Sequence, residues 1–405
     1  MSIISSKQLW EKEQIGTHCI VGDGAHARIK RQNSGIKYLT SKNFKNGRLD
    51  LSKLDYISEE SYQKYFKEDS KALTKPQPND VLFSIIGTIG EPYIVQNGDK
   101  YGLSSSVSII RPNELQICPQ YLYYWIKGHI FQDALYGIKG GVAQSYVSLE
   151  MIRSLPLYYP SLYTQNKIAS ILSAYDDLIE NNTKRIKILE TMAQTLYQEW
   201  FVKFRFPGHK QVKMVESELA LIPEGWLGKL EDALILQRGF DLPIKKRKQG
   251  NIPIYASTGI TGTHNEAKIK APGVVTGRSG SLGTVMYVDE DFWALNTTLW
   301  VKEFRKATPI YAFYLLSSLG LEQYNSGAAV PSLNRNNVHG LPVVIPNSSI
   351  LEQFNNYVEP LFKLKKSLQQ KNDNLRKTRD LLLPKLISGQ IDVENLDIDT
   401  GELAA

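Results

Sequence analysis

The residue types best suited to chemistry in this sequence fall in two cationic runs. The first holds His26, Arg28, Lys30, Arg31, Lys42, Lys45 and Arg48 within "GDGAHARIKRQNSGIKYLTSKNFKNGRLDLSKLDY". The second holds Arg238, Lys245, Lys246, Arg247 and Lys248 within "QRGFDLPIKKRKQGNIPIYASTGITGTHNEAKIK", with Arg278 a little beyond. Lysine and arginine set among Gly, Asn, Ser, Thr and a few aromatics, on loops, have the chemistry to reach phosphates and base edges. Any one of them alone reads as a solvated surface charge. Two clusters at matching places point instead toward a nucleic-acid face. The "DGAH" at Asp23 reads either as a turn or as part of such a contact.

Catalytic constellations fail on their spacing. Asp80 and Glu91 are placed like a nuclease carboxylate pair, but Tyr93 stands where that chemistry needs a lysine. The "GTIG" and "GSLG" segments lack the Gly-Lys-Ser/Thr that completes a phosphate loop, so they read as turns between strands. His26 and His264 have no Cys or His partner at ligand spacing, so no metal is expected. The two cysteines, Cys19 and Cys118, form no CxxC and no disulfide framework, which fits a reducing cytoplasm. No Asn-Pro-Pro-Tyr or Asp-Pro-Pro-Tyr of a methyltransferase occurs.

These loops need scaffolds to hold them, and the composition allows for scaffolds. Of 405 residues 42% are hydrophobic, enough for two or three cores, and the net charge of +7 suits a polyanionic partner. Apolar stretches fall well short of the ~20 residues that span a bilayer, and the N-terminus has no secretion pattern. The scaffold is written twice. "RSLPLYYPS" at Arg153 returns as "HGLPVVIPN" at His339. Upstream, "GGVAQSYVSLEMIRSLP" answers "SGAAVPSLNRNNVHGLP", "YLYYWI" answers "YAFYLL", "LSSSVSI" answers "LNTTLWV" and "VLFSIIGTIGEPYIV" answers "VVTGRSGSLGTVMYV", in the same order. Short β-rich runs broken by Gly, Asn and Asp, each set ending in an aromatic helix, give mixed α+β domains.

A long helix is expected after each junction. In the first, Ile168, Leu172, Tyr175, Ile179, Asn182, Ile186, Leu189, Ala193 and Leu196 alternate steps of four and three, the spacing of a coiled-coil seam. In the second the expected seam is Tyr357, Leu361, Leu364, Leu368, Lys371, Leu375, Thr378 and Leu382. Asn182 and Lys371 are its polar positions, read either as register-setting seam residues or as solvated ones. Each stripe needs a partner, so the two helices are expected to pair as an antiparallel coiled coil with pseudo-twofold symmetry. At about 35 to 40 residues and ~1.5 Å per residue, each would be roughly 50 to 60 Å long.

Repeat order, junctions and link together resemble the DNA specificity subunit of type I restriction-modification systems. The passage from domain into helix, "LPLYYPSLYTQNKI" and "LPVVIPNSSILEQF", is similar to the family's Leu-Pro…Pro…Glu-Gln…Ile run, with Thr164-Gln165 in place of Glu-Gln in the first copy and no matching isoleucine in the second. "LYQEWFVKFRFPGH" and "SELALIPEGW" resemble the family's link between repeats. The resemblance implies a target-recognition domain over 1–160, a spacer helix over 161–204 (the family's central conserved region) and a linker over 205–225. A second recognition domain over 226–346, a second spacer helix over 347–390 and a tail over 391–405 complete it.

It also implies a non-catalytic subunit that recognises a bipartite site on double-stranded DNA. Two methyltransferase subunits and the restriction and motor subunits would be its partners. S-adenosylmethionine, ATP and magnesium would belong to those partners, with no cofactor on this chain and a cytoplasmic location. The competing readings are a methyltransferase or nuclease in its own right, and a non-specific nucleic-acid-binding scaffold. The ratio of target to random-DNA affinity separates the last of these from the first.

Overall fold

A computed structural model describes residues 10–398 apart from 46, 69, 71, 139–145 and 328. Residues 140–145 of the repeated passage and 399–405 of the expected tail lie outside these. The chain divides into two compact units, one of Met1–Asn181 with Lys371–Ala405, the other of Asn182–Gln370.

The first unit is built on an antiparallel sheet of β1 (Cys19–Asp23), β2 (Val81–Ser84), β3 (Pro92–Ile94) and β4 (Val107–Pro112), in spatial order β1-β4-β2-β3. All four residues of β2 are buried, as expected of an inner strand covered on both faces. Helix α1 (Pro119–Lys127) covers the sheet and buries Tyr121, Leu122, Trp125 and Ile126, and Pro119 at its first turn suits a helix start. Within the segment unique to this repeat, Ile36–Leu39 pairs antiparallel with Asp55–Ile57 and parallel with Tyr101–Leu103. The long helix α2 (Leu162–Tyr197) begins in this unit.

The second unit repeats the plan. Strands β5 (Leu234–Arg238), β6 (Gly273–Gly277), β7 (Val285–Val288) and β8 (Thr298–Phe304) lie in the order β5-β8-β6-β7, with α3 (Pro309–Ser318) following. Here Ile252–Ala256 pairs antiparallel with Gly259–His264 and parallel with Trp293–Ala294. Two loop segments with little common sequence therefore fold on one sheet pattern. The second long helix, α4 (Ser348–Ile387), starts in this unit.

Each junction is a strand fastened to its own unit. Pro156–Tyr159 pairs with Glu11–Gln14, and Pro342–Val344 pairs with Leu227–Lys229. The fully buried Tyr121 donates its hydroxyl to the Tyr158 carbonyl at 2.7 Å, and Tyr311 does the same to Val344 at 2.6 Å. Burial pushes both phenols well above their usual pKa, so both remain donors. The recurrence of the aromatic hexapeptide with the Leu-Pro passage is thus one interaction kept twice. Buried Gln165 adds to the first junction, accepting from the Cys118 amide at 2.9 Å and donating to the Gln116 and Pro160 carbonyls.

Both units use both long helices, antiparallel. In the first, Asn372 Nδ2 donates to the Ile179 carbonyl at 3.3 Å, and Arg379 pairs with Asp176. In the second, Lys365 pairs with Glu190 at 2.7 Å, and Phe354 packs against Tyr197 and Trp200. On α2, Ile168, Leu172, Ile179, Asn182, Leu189 and Ala193 are buried, with Tyr175, Ile186 and Leu196 half-buried. A π-helical turn, Gln198–Val202, then carries Trp200 and Phe201 into the core of the second unit.

The seam of α4 departs from the expectation. Leu361, Leu368, Leu375 and Leu382 lie on it, but Leu364, Lys371, Tyr357 and Thr378 are exposed. The alternate positions are one residue later: Val358, Lys365, Asn372 and Arg379, extended by Phe354 and Leu386. Lys365, Asn372 and Arg379 are polar, and each meets a partner across the pair, so counting apolar residues selects the wrong neighbour. Past α4, the segment to residue 398 returns to the first unit, where the Lys167 ammonium donates to the Glu394 and Leu396 carbonyls at 2.8 and 2.7 Å.

A polar seam residue fixes register at a cost in stability. Asn372→Leu is therefore expected to raise unfolding free energy by about 1 kcal/mol while loosening register. Thermal unfolding with light scattering checks both, and an unchanged midpoint with a single species would contradict it. Asp80, 1% exposed, accepts from Arg111 Nε and Nη2 at 2.7 and 2.8 Å and from the Gln77 amide at 2.7 Å. Asp80→Ala strands that guanidinium and should cost about 3 kcal/mol in denaturant unfolding.

Candidate nucleic-acid interface

The cationic residues expected to touch DNA lie on strand ends, a hairpin, short helical turns and loops, and the structure sorts them by their partners. In the first unit Arg28 and Lys30 flank buried Ile29, so both side chains turn outward. Lys42 stands on the 3-10 turn Ser41–Asn43, whose Asn43 side chain caps it by accepting from the Thr40 amide at 2.9 Å. Lys45 and Arg48 face one another across a tight hairpin of Phe44–Lys45 and Arg48–Leu49. Gly47 forms its tip at φ +72°, where an added Cβ would lie 2.7 Å from the Tyr123 hydroxyl, so glycine is required there. The tip is held from both sides: the Gly47 amide donates to Glu91 Oε2 at 2.9 Å, and Tyr123 donates to the Gly47 carbonyl at 3.0 Å.

Some of these charges are already neutralised. Arg31 pairs with Asp55 and lies over the Tyr38 ring at 5.1 Å. Lys45 lies 2.5 Å from Asp50, and hydrogen bonds from Lys45 and then Ser52 hold that carboxyl well below the usual range. His26 Nε2 lies 2.7 Å from Asp23 Oδ2. Arg28, Lys30, Lys42 and Arg48 are exposed and make no side-chain hydrogen bond or ion pair among the described residues.

The second unit divides the same way. Arg238 ends β5 and donates to Asp241 at 3.2 Å. Arg247 donates to the Thr261 carbonyl at 3.0 Å, which pins its loop to the neighbouring hairpin. The Lys248 amide donates to His264 Nδ1 at 3.0 Å, and that buried imidazole packs edge-on against Trp293. His264 is thus a structural acceptor. Arg278, following β6, donates to the Asn296 carbonyl at 3.2 Å. The exposed side chains of Lys245, Lys246 and Lys248 make no hydrogen bond or ion pair among the described residues.

The two loop systems share a turn that the repeat offsets conceal. The Gly24 amide donates to the Val107 carbonyl at 3.0 Å and the Ala25 amide to Leu103 at 2.9 Å. The Gly239 amide donates to Thr298 at 3.0 Å and the Phe240 amide to Ala294 at 2.8 Å, at the equivalent strand ends. A Cβ on Gly24 would lie 2.3 Å from the Leu103 carbonyl, and one on Gly239 2.2 Å from that of Leu295. "DGAH" and "RGFD" therefore hold corresponding places in the two units. Asp80 and Glu91 form no catalytic pair, since Arg111 holds one and Gly47 binds the other.

Comparison with known proteins agrees with the repeat. The family model described as the type I restriction modification DNA specificity domain matches residues 10–191 and 229–376. A type I restriction enzyme specificity subunit, MjaIX, of Methanocaldococcus jannaschii is 29% identical over 306 residues, covering 69% of this chain and 71% of the relative. The putative MjaX specificity subunit of the same organism is 28% identical over 213 residues, 51% of this chain and 48% of its own length. The crystal structure of a type I restriction-modification S subunit from M. genitalium aligns over 95% of this chain and 98% of its own, at a TM-score of 0.63 and 15% identity, a likeness of fold. With two copies of one scaffold carrying unlike cationic loops and the family model matched in both, the chain belongs to the DNA specificity subunits of type I restriction-modification systems, whose role is recognition and not catalysis.

Proposed function

We propose that the chain reads a bipartite DNA target, each unit recognising one half-site, and positions methyltransferase and restriction subunits on it. The observation that carries this reading is that the two units keep the same sheets and junctions while their loops present different residues at corresponding places. A scaffold kept constant under varied loops is the arrangement expected when two surfaces recognise different sequences. S-adenosylmethionine, ATP and magnesium then belong to the partner subunits, and the work is done in the cytoplasm. No helix among the described residues is long and apolar enough to cross a membrane.

The direct test exchanges loops. Replacing residues 22–80 with the corresponding segment of another specificity subunit, and sequencing the methylated sites of the assembled complex, should change one half-site and leave the other intact. Simultaneous change in both would refute independent reading, and binding without sequence preference would favour a non-specific scaffold.

The bare lysines of the second unit are expected to meet phosphates. Substituting Lys245, Lys246 and Lys248 by alanine should reduce the slope of log affinity against log salt by roughly 0.9 per contact, about 2.7 in all, without altering the preferred bases. An unchanged slope would mark these lysines as ordinary solvated charge. Arg247→Ala should act differently, loosening the loop through loss of its bond to Thr261.

A further inference from the structure

The glycine turn shared by the two units places one charged or polar pair at corresponding points, with its polarity reversed. In the first, Asp23 precedes Gly24 and His26 follows it, 2.7 Å apart. In the second, Arg238 precedes Gly239 and Asp241 follows it, 3.2 Å apart. The acid lies before the glycine in one unit and after it in the other, and each time it holds the more versatile hydrogen-bonding partner across the turn. The backbone beneath is the same, and neither glycine accepts a Cβ. The main chain is thereby fixed, while the two side chains on either side of it vary.

From this geometry we infer that the turn is the corresponding base-reading position of each unit, with His26 as the reader aimed by Asp23 and Arg238 as the reader aimed by Asp241. The inference rests on the proposal that each unit reads a half-site. Arg238 is about half exposed, and its contact with Asp241 uses Nη2. Asp241 is itself held by the Asn296 amide. A guanidinium fixed on one side retains enough N–H groups for the paired O6 and N7 acceptors of guanine in the major groove. In the first unit the Asp23 side chain is 11% exposed and that of His26 75% exposed. The imidazole Nε2 faces Asp23, which leaves the Nδ1 edge of the ring for a base. The two positions therefore carry different readers: a guanidinium that calls for a guanine in the second half-site and an imidazole that meets a single base in the first.

The test uses the assembled complex and the target determined for it. Affinities are measured for duplexes carrying all four bases at each position, and for one carrying 7-deazaguanine, which lacks the N7 acceptor, at each guanine of the second half-site. Arg238→Ala should cut discrimination roughly 10- to 100-fold at a single guanine. The wild type should lose affinity about tenfold on 7-deazaguanine at that guanine, and the variant should be indifferent to it. Asp241→Asn should weaken the same discrimination without abolishing it, and His26→Ala should change one position of the first half-site only. Arg238→Ala lowering affinity equally for every base, with a smaller salt slope, would show a phosphate contact and overturn the assignment. Altered discrimination at several positions together would show a folding defect of the loop and overturn it as well. A wild-type complex with no base preference at all would instead remove the half-site reading on which the inference stands.

Discussion

Antiparallel pairing of α2 with α4 is the constraint on which the remainder depends. The core of the first unit takes Ile168, Ala169 and Leu172 from the start of α2 and Leu386 and Ile387 from the end of α4. The core of the second takes Ala193 and Tyr197 from the end of α2, Trp200 from the π-helical turn after it, and Leu351, Phe354 and Val358 from the start of α4. In the second unit Phe362 of α4 also touches Tyr287 of the sheet. A helix that is amphipathic along one stripe must bury that stripe somewhere, and each long helix here does so against two different globular cores and against its counterpart. This explains why the junctions are anchored so heavily. Tyr121 and Tyr311 bond to the strand that leads into each long helix, fixing where the helix begins relative to the sheet of its own unit.

Charge follows a separate logic. Inside the first unit, Arg379 and Asp176 pair on the helices, with Tyr124 donating to that carboxylate at 2.8 Å and the Lys127 ammonium 4.0 Å away. Burial of Lys127 lowers its pKa, partly offset by Asp176. At the matching place the second unit is aromatic, with Tyr287, Phe313, Tyr314 and Phe362 in edge-on contact. The same packing problem has thus been met once with half-buried charge and once with rings. On the loops, by contrast, the cations without protein partners are the ones free to release counterions on meeting a polyanion. Arg31 and Lys45 have part of that capacity taken up by Asp55 and Asp50.

The repeat, the mixed sheets and the seam of α2 were legible because each is carried by apolar residues whose spacing follows the geometry of the element. The seam of α4 was legible only at its leucines. Its other positions are Lys365, Asn372 and Arg379, whose role appears only when Glu190, Ile179 and Asp176 are seen opposite them. The glycine turn was hidden for another reason. Between Gly24 and Gly239 the numbering is displaced by more than at the junctions, because the loops that follow differ in length, and alignment from the junctions never brings the two together. Which cations stay bare was likewise unreadable, since Asp50, Asp55 and Asp241 neutralise neighbours through loop shape that composition does not encode.

The return of the C-terminal segment to the first unit has a consequence for synthesis on the ribosome. The second unit is one continuous stretch, Asn182–Gln370, and has all its parts as soon as that stretch has emerged. The first has most of its strands early but lacks Leu386, Ile387 and Val393, and Lys167 lacks the carbonyls of Glu394 and Leu396, until the residues that follow the second unit have been made. Domains generally fold in the order they are made, and contacts distant in sequence come late. Here that order is inverted for completion: the unit translated first is the last to close. Until then the part of its core that Leu386, Ile387 and Val393 fill stays incomplete, a period in which chaperone capture or pairing with a free α4 from another chain competes with the native partner.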